Sequence, residues 1–284
     1  MSSQVPDAED RPSDRLLAEI ERSAVDLARL AGTEIQASLG RTLSVRYKAL
    51  GDDETLFRDP VSEVDHRTEV LIRARLDESF PDHGIIGEEQ DDKPADPDAF
   101  VWAVDPIDGT TNFINGFPLF SASIGVLHRG RPVVGAVWCS TSHALRPGVY
   151  HARLGGALSF EDAEFERVAS GDVQRQLVGL PHAPRGYDPR WDSRKSGSAA
   201  IETAFVAAGL LQAARFDTPN VWDVAAGIVL VEAAGGAVLT RAGSEWRPFT
   251  SFTGPGGAPD PRAWRQDLVL GREPALQQLA QTGD

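Results

Sequence analysis

The sequence predicts a layered α/β or α+β fold, in which helices pack on sheets that contain antiparallel strand pairs. Several long segments repeat apolar residues at three- and four-residue steps, which is typical of amphipathic helices. Short apolar runs bounded by turns that contain Gly or Pro predict strands. The two kinds of segment are mixed rather than strictly alternating, and this order favours antiparallel pairs over a fully parallel sheet.

The composition is that of a globular protein with an acidic surface. The 284-residue chain is 41% hydrophobic and 25% charged, and its net charge is −14 at pH 7. This charge argues against binding nucleic acid or anionic membranes, and a phosphorylated substrate would need metal ions to offset the repulsion. The single cysteine, Cys139, allows no intrachain disulfide. Because the first residues are polar and no run has the length of a membrane span, we expect a cytoplasmic protein.

Two amphipathic helices are predicted in the first 80 residues. The first begins at Ser13, and its apolar residues continue to Gly40, which occupies the position of a C-terminal cap. The second begins near residue 62 and presents an apolar face up to residue 80. Asp65 lies in its first turn, where a carboxylate is favourable on its own account.

The stretch 102–120, WAVDPIDGTTNFINGFPLF, organises the rest of the chain. The apolar run 100–104 predicts a short buried strand that stops at Asp105-Pro106. A cluster of polar residues then follows in one turn, namely Asp105, Asp108, Gly109, Thr110, Thr111 and Asn112. Such a cluster at the end of a strand is suited to a metal and an anion rather than to packing.

The remaining elements are shorter. Strands are predicted at 85–86, 121–127, 133–139, 146–153, 157–160, 176–180, 211–216, 237–240 and 268–270, with the second and third forming a hairpin. Helices are predicted at 196–208, 224–234 and 274–280, and loops at 91–98, 181–194 and 250–262. The small residues at 196–200 would allow an anion to approach the free N–H groups of a helix start, or would serve as a packing contact.

Carboxylates recur where the predicted elements begin or end: Asp65, Glu88, Asp105, Asp108 and Asp223. No histidine or cysteine pair has the spacing of a transition-metal site, since Cys139 and His143 lack partners. An all-oxygen set favours Mg²⁺, with Mn²⁺ or Ca²⁺ as substitutes. Several acids in one buried site stay ionised only if cations share it, so two divalent ions are expected, as in phosphoryl-transfer sites.

A hydroxyl next to these acids could take part in the predicted hydrolysis. Thr110 would accept and pass on the proton of an attacking water, and a helix that begins near residues 109–112 would aim N–H groups at phosphate. Two other interpretations fit the spacing, a calcium-stabilised structural loop and a nucleophilic aspartate. The EF-hand pattern is absent, because Asp105 and Asp108 are three apart with Pro106 between them.

These segments resemble the motifs of the inositol monophosphatase family. Residues 105–113, DPIDGTTNF, resemble its first signature, and 222–227, WDVAAG, followed by EAAGG at 232–236, resemble its second. Three further segments match shorter motifs: 61–65 (VSEVD), 87–89 (GEE) and 197–200 (GSAA). The motifs follow the family order and span most of the chain.

The resemblance implies the roles of individual residues. The implied ligands of two or three Mg²⁺ ions, for which Mn²⁺ can substitute, are Glu88, Asp105, Asp108, Asp223 and the backbone carbonyl of Ile107. The implied catalytic residues are Thr110, which holds the attacking water, Asp65, which orients Thr110, and Glu88. The implied substrate contacts are the N–H groups of Gly109 and Thr111 at the phosphate, and Ser198 and Ala199 on the alcohol side.

The resemblance also implies an architecture and an activity. The fold would be the layered α-β-α-β-α sandwich of the sugar-phosphatase type, with a disordered tail at 1–13 and one catalytic domain at 14–284 whose two subdomains divide near 140–150. We expect a lithium-sensitive homodimer that hydrolyses a small phosphorylated alcohol similar to inositol monophosphate. Alternative substrates are fructose 1,6-bisphosphate, histidinol phosphate and a nucleotide 3′-phosphate, and a different class is a binding protein of the transcription machinery.

One departure from the family concerns the alcohol side. Family members that favour inositol carry a glutamate several residues before the Trp-Asp pair, where it binds ring hydroxyls. The ungapped position here is Phe216, with Asp217 next to it. The departure bears on the substrate and leaves the predicted hydrolytic chemistry unchanged.

Overall fold

The computed structural model describes residues 11–41, 43, 45–48, 59–94, 96, 98–167, 173–182, 190–254 and 260–281. Most of the predicted tail, residues 1–10, lies outside them. The helices are α1 (Asp14–Ser38), α2 (Glu63–Ser79), α3 (Thr110–Ile114), α4 (Ala199–Ala208), α5 (Val221–Ala233) and α6 (Ala275–Gln281). The strands are β1 (Val45–Lys48), β2 (Asp59–Ser62), β3 (Gly84–Gly87), β4 (Phe100–Asp108), β5 (Ser121–His128), β6 (Arg131–Cys139), β7 (Gly148–Arg153), β8 (Ser159–Phe160), β9 (Ala163–Glu164), β10 (Gln176–Gly179), β11 (Trp191–Arg194), β12 (Ala213–Phe216), β13 (Ala237–Ala242), β14 (Glu245–Pro248) and β15 (Asp267–Gly271).

Most described strands belong to two sheets. The first has seven strands in the order β3-β4-β5-β6-β7-β8-β9, and only β3 and β4 run parallel. The second has six strands in the order β11-β10-β12-β15-β13-β14, with β10 parallel to both of its neighbours. The strands β1 and β2 form a separate antiparallel pair. The predicted α/β body with antiparallel strand pairs is therefore confirmed.

Five layers result from the way the helices cover these sheets. Helices α1 and α2 pack on one face of the seven-stranded sheet, and α5 packs on the other. Helices α4 and α5 contact each other and also contact the six-stranded sheet, whose outer face is covered by α6. This order confirms the α-β-α-β-α sandwich. No helix in the described ranges combines the length and the apolar character that a membrane crossing requires.

Glycines allow the central helix to lie close to the first sheet. A Cβ atom on Gly135 in β6 would come within 2.3 Å of the Ala226 carbonyl oxygen in α5. On the opposite face, the indole of Trp138 packs against Gly32 of α1 in the same way. Helix α5 is apolar on nearly all sides because sheets bury it from two directions.

Several described elements differ from the sequence-based expectations, and β1, β2 and β9 are among the strands that were not predicted. Strand β4 does not stop at Asp105-Pro106 but continues to Asp108, because a β-bulge absorbs Pro106: Asp105 pairs with Ser123 and Asp108 pairs with Ser121. Strand β11 lies inside the predicted loop 181–194, and β14 was not predicted. Both are edge strands of four residues in which no residue is buried, so they show no apolar alternation.

Candidate active site

The two strands that lead into the carboxylates end at the same edge of the first sheet. Strands β3 and β4 are parallel, and Gly87 pairs with Val104. Glu88 and Asp105 therefore follow at neighbouring positions, and the Glu88 amide donates to the Val104 carbonyl at 3.3 Å. Both acidic segments therefore meet at one edge of the sheet.

The charges of the other four carboxylates all act on Asp105. Its side chain is buried, and its Oδ1 accepts a hydrogen bond from the Ile107 amide at 3.0 Å. Burial raises the pKa of Asp105 well above its usual range, and the charges of Glu88, Asp108, Asp223 and Asp65 raise it further. The five predicted acids are thus brought together closely enough for their charges to interact.

Asp65 and Thr110 form the contact that the family resemblance implies. The Thr110 hydroxyl lies 3.0 Å from Asp65 Oδ1 and 2.9 Å from the Ile107 carbonyl oxygen, so its one proton has two acceptors. Asp65 Oδ2 accepts from the amide and the hydroxyl of Ser62 in a capping box at the start of α2. Burial outweighs these hydrogen bonds and raises the pKa of Asp65 to about 6.

Asp108 is the last residue of β4, and its carboxylate lies at the start of α4. Its Oδ2 accepts from the Ser198 hydroxyl at 2.5 Å, from the Ala200 amide at 2.6 Å and from the Ser121 hydroxyl at 3.1 Å. Its Oδ1 is 3.3 Å from the Ala199 amide. The anion that the small residues of this helix start accommodate is therefore the carboxylate of Asp108 itself. Burial raises the pKa of Asp108 to about 6 in spite of these donors.

Asp223 lies in the first turn of α5. Its Oδ2 accepts from the Asn220 backbone amide at 2.8 Å, which fixes the carboxylate at the helix start. Burial, followed by the charges of Asp108 and Glu88, raises the pKa of Asp223 well above its usual range. The helix begins at Val221, three residues before the predicted start, so Trp222 and Asp223 belong to its first turn.

The predicted phosphate-binding turn is held by a residue to which no role was assigned. Gly109 precedes α3 with a φ of 87°, and an added Cβ would lie 3.0 Å from the Ser198 side chain. Asn112 of α3 donates from Nδ2 to the Leu119 carbonyl at 2.5 Å and to the Ser196 carbonyl at 2.7 Å. Asn112 therefore joins the turn that carries Gly109 and Thr111 to the segment before Ser198 and Ala199.

A second residue missed by the sequence reasoning is Glu69. It is fully buried on α2, where Oε2 accepts from the Glu89 amide and Oε1 accepts from Arg73 Nε, both at 2.8 Å. This carboxylate fixes the backbone next to Glu88. Its signal in the sequence is the i, i+4 series Asp65, Glu69 and Arg73, which puts all three on one helix face.

The donor set has the chemistry of a hard divalent cation site. The charges of neighbouring carboxylates add to burial in raising the pKa values of Asp105 and Asp223, and cations that share the site would relieve this repulsion. Among the described residues, no three Asp, Glu, His or Cys side chains could hold a metal ion as they are arranged. Cys139 is buried, and the His143 ring bonds to the Tyr150 hydroxyl, so this pair forms no second site.

The five-layer fold and the cluster of carboxylates beside a hydroxyl define a layered α/β phosphatase. In agreement with this, residues 16–277 match the inositol monophosphatase family, and the chain belongs to that family. Its relatives are phosphatases, that is, phosphoric monoester hydrolases, for which metal dependence and dimers are general features.

Individual relatives differ in what they are described to hydrolyse. An inositol-1-monophosphatase of Bacillus subtilis is 30% identical over 246 residues, which cover 82% of this chain and 88% of the relative. A fructose-1,6-bisphosphatase/inositol-1-monophosphatase of Thermotoga maritima is 30% identical over 236 residues, with 80% and 87% covered. The crystal structure of extragenic suppressor protein suhB from Bartonella henselae superposes with a TM-score of 0.70 at 24% identity, covering 95% of this chain and 98% of that chain.

Proposed function

We propose that this protein is a Mg²⁺-dependent phosphomonoesterase that hydrolyses a small phosphorylated alcohol by direct attack of water. The observation that carries the proposal is the Thr110 hydroxyl, which lies 3.0 Å from Asp65 within a group of five interacting carboxylates. A calcium-stabilised loop would not need a hydroxyl that is oriented in this way. Asp108 is poorly placed to act as a nucleophile, because its carboxylate accepts four hydrogen bonds.

The ligands of the metal would be Glu88, Asp105, Asp108, Asp223 and the Ile107 carbonyl. Divalent ions bound there would neutralise the carboxylates and polarise the phosphoryl group, and two or three Mg²⁺ ions, replaceable by Mn²⁺, match the number of acids. The N–H groups of Gly109 and Thr111 would donate hydrogen bonds to the phosphate, since they lie at the start of α3.

The reaction itself would depend on Thr110 and its neighbours. While the Thr110 hydroxyl donates to Asp65, its oxygen keeps lone pairs that can accept a hydrogen bond from a water molecule, so the proton of that water could pass to Thr110 as the Thr110 proton passes to the Asp65 carboxylate. That water attacks phosphorus, the P–O bond to the alcohol breaks, and the released oxygen takes up a proton. Glu88 is a second candidate proton acceptor because its carboxylate lies beside Asp105.

The alcohol side of the site favours a substrate other than inositol monophosphate. Phe216 is buried in the core around α4 and α5 and offers no acceptor for ring hydroxyls. The adjacent Asp217 pairs with Arg215 at 3.2 Å and with His182 at 3.4 Å. Ser198 also donates to Asp108, so its hydroxyl reaches an alcohol only after that bond is exchanged.

Phosphate release from a panel of phosphomonoesters, with and without Mg²⁺, tests the proposal. The panel contains inositol 1-phosphate, fructose 1,6-bisphosphate, histidinol phosphate and adenosine 3′,5′-bisphosphate. We expect release that depends on Mg²⁺, is inhibited by lithium and is strongest for one compound. A folded protein that binds Mg²⁺ and hydrolyses none of them would point to a binding role.

The matched variant is Asp105→Asn. It removes one charge and keeps the shape of the side chain, so we expect loss of turnover with the fold retained. Full activity of this variant would overturn the site assignment. The further proposals that the protein is cytoplasmic, forms a homodimer and divides into two subdomains near residues 140–150 are tested by fractionation, by sedimentation and by limited proteolysis.

A further inference from the structure

Arg262 contacts two of the motifs that supply the carboxylates. Its Nη1 donates to the Gly87 carbonyl at 2.6 Å, and Gly87 directly precedes Glu88. Its guanidinium lies over the Trp222 ring, 4.7 Å from the centroid, and Trp222 directly precedes Asp223. One side chain thus bridges the end of β3 and the start of α5, which are far apart in the sequence.

The segment that carries Arg262 is itself anchored in the core. Trp264 and Phe252 are buried, and their rings pack edge to face with a centroid distance of 5.0 Å. Phe249 joins them, and the Phe252 amide donates to the Gly130 carbonyl at 2.8 Å. Because its base is fixed in this way, Arg262 contacts both motifs from a rigid support.

Trp222 is also held on its other side. Its backbone carbonyl accepts from the buried Ser123 hydroxyl at 2.8 Å, which joins the start of α5 to strand β5. The indole is 6% exposed, so the guanidinium lies over a ring that is otherwise enclosed. A cation over a partly desolvated indole is a favourable contact that a lysine reproduces poorly.

We propose that Arg262 is a positioning residue that sets the distance between Glu88 and Asp223, and thereby the affinity of the site for divalent cations. The inference rests on the proposed function, because it takes both acids as metal ligands. Residues that orient metal ligands without touching the metal typically change metal affinity by about 10- to 100-fold when they are removed.

The alternative is that Arg262 only forms a surface ion pair. It lies 3.2 Å from Asp92, and its side chain is 44% exposed. Such exposed pairs contribute little to stability and would not affect the site. Its hydrogen bond to Gly87 and its position over Trp222 are additional to that pair, and both concern residues adjacent to proposed ligands.

The sign of the effect separates positioning from simple electrostatics. Arg262 is positively charged and repels a divalent cation, so loss of its charge alone would tighten cation binding. If Arg262 positions the ligands, its loss weakens binding instead. Arg265 is the matched control, since it lies on the same segment and, within the described ranges, donates to the Arg262 and Trp264 carbonyls rather than to either motif.

The experiment compares wild type, Arg262→Met, Arg262→Lys and Arg265→Met. Mn²⁺ binding is measured directly from the electron paramagnetic resonance signal of the free ion, and phosphate release is measured as a function of Mg²⁺. We expect Arg262→Met to weaken Mn²⁺ binding about tenfold, Arg262→Lys to give an intermediate value and Arg265→Met to match wild type. At saturating Mg²⁺, kcat should return to near the wild-type value.

Two results would overturn the inference. Arg262→Met that binds Mn²⁺ as tightly as wild type, or more tightly, would leave Arg262 with a surface role while the proposed function stands. If Arg262→Met does not fold, wild-type affinity in Arg262→Lys has the same meaning. A wild type that neither binds Mn²⁺ nor hydrolyses any ester would overturn the proposed function as well, so the two failures are distinguishable.

Discussion

Thr110 has one proton and two acceptors, and this arrangement defines what its hydroxyl can do. Asp65 Oδ1 and the Ile107 carbonyl oxygen both lie within hydrogen-bonding distance of it. Whichever of them accepts, the lone pairs of Thr110 Oγ1 remain available to a water molecule. Ser62 donates two hydrogen bonds to Asp65 and fixes its carboxylate. Ser62 therefore helps to orient the Thr110 hydroxyl without touching it.

Replacement of this hydroxyl tests the residue-scale mechanism. We expect Thr110→Val to lower kcat by about 10²- to 10⁴-fold, because it removes the proton acceptor and keeps the shape. Thr110→Ser keeps the hydroxyl and should retain most of the activity. The measurement is kcat and KM at saturating Mg²⁺, and a Thr110→Val enzyme within threefold of wild type would exclude the assigned role.

At the scale of single residues, the sequence predicted the acids of the site but not the residues that hold them in place. Asp105, Asp108 and Thr110 lie within one short segment, so their proximity is fixed by local chain geometry. The contacts of Asn112 with Ser196 and of Arg262 with Gly87 join residues far apart in the chain. Such contacts depend on how the layers pack, which no local pattern encodes.

At the scale of elements, helix α1 is fastened to strand β7 by a buried charge cluster. Glu21 of α1 accepts from His151 at 2.7 Å and from Arg153 at 2.8 Å. Despite partial burial, the hydrogen bond and charge of Glu21 raise the pKa of His151 above its ordinary 6.5. The same contacts lower the pKa of Glu21.

This cluster should make the contribution of Glu21 depend on pH. A raised folded-state pKa of His151 gives stability that is fully present below pH 6.5 and is lost as the pH rises through the folded pKa. We therefore expect Glu21→Gln to cost about 2 kcal/mol at pH 6 and less at pH 8.5. Urea unfolding at both pH values measures the difference.

The control for this prediction lies on the same helix. Arg29 pairs with Glu161 and Asp162 near the surface, so Arg29→Gln should cost less than about 1 kcal/mol at either pH. An equal cost of Glu21→Gln at pH 6 and pH 8.5 would mean that His151 is not the protonated partner.

Elements with strong patterns were predictable, and weak edge strands were not. Helix α1 and the β5–β6 hairpin followed from periodicity, and Arg129-Gly130 makes the tight turn with positive φ at both residues. The edge strands β11 and β14 form because a neighbouring strand offers hydrogen bonds, not because of their own sequence. The continuation of β4 past Pro106 likewise depends on its partner β5.

At the scale of the whole molecule, the site joins the first sheet to both helical layers beside it. Asp65 comes from α2, Glu88 follows β3, Asp105 lies in β4, and Asp223 lies in the first turn of α5. The charges of these acids oppose one another in the folded protein and are far apart in the unfolded chain. Cations that bind the site should therefore stabilise the entire fold.

Metal addition tests this coupling. At a free Mg²⁺ concentration about 100 times the dissociation constant, binding adds about 2.7 kcal/mol to the free energy of unfolding. We expect the melting temperature of wild type to rise by roughly 5 °C or more and to return to its starting value with a chelator. Asp105→Asn should show a much smaller rise, and NaCl at equal ionic strength controls for screening. A wild type without a shift specific to Mg²⁺ would contradict the cation site.

The enclosed helix α5 has a consequence for how the chain is made. Its thirteen residues, VWDVAAGIVLVEA, would be exposed to solvent in a nascent chain and prone to aggregate. All strands of the seven-stranded sheet precede it in the sequence. During synthesis from the N-terminus, α5 therefore leaves the ribosome after its acceptor surface has been translated. Strands β13 and β15, which contact α5 from the second sheet, are translated within about 40 residues after it.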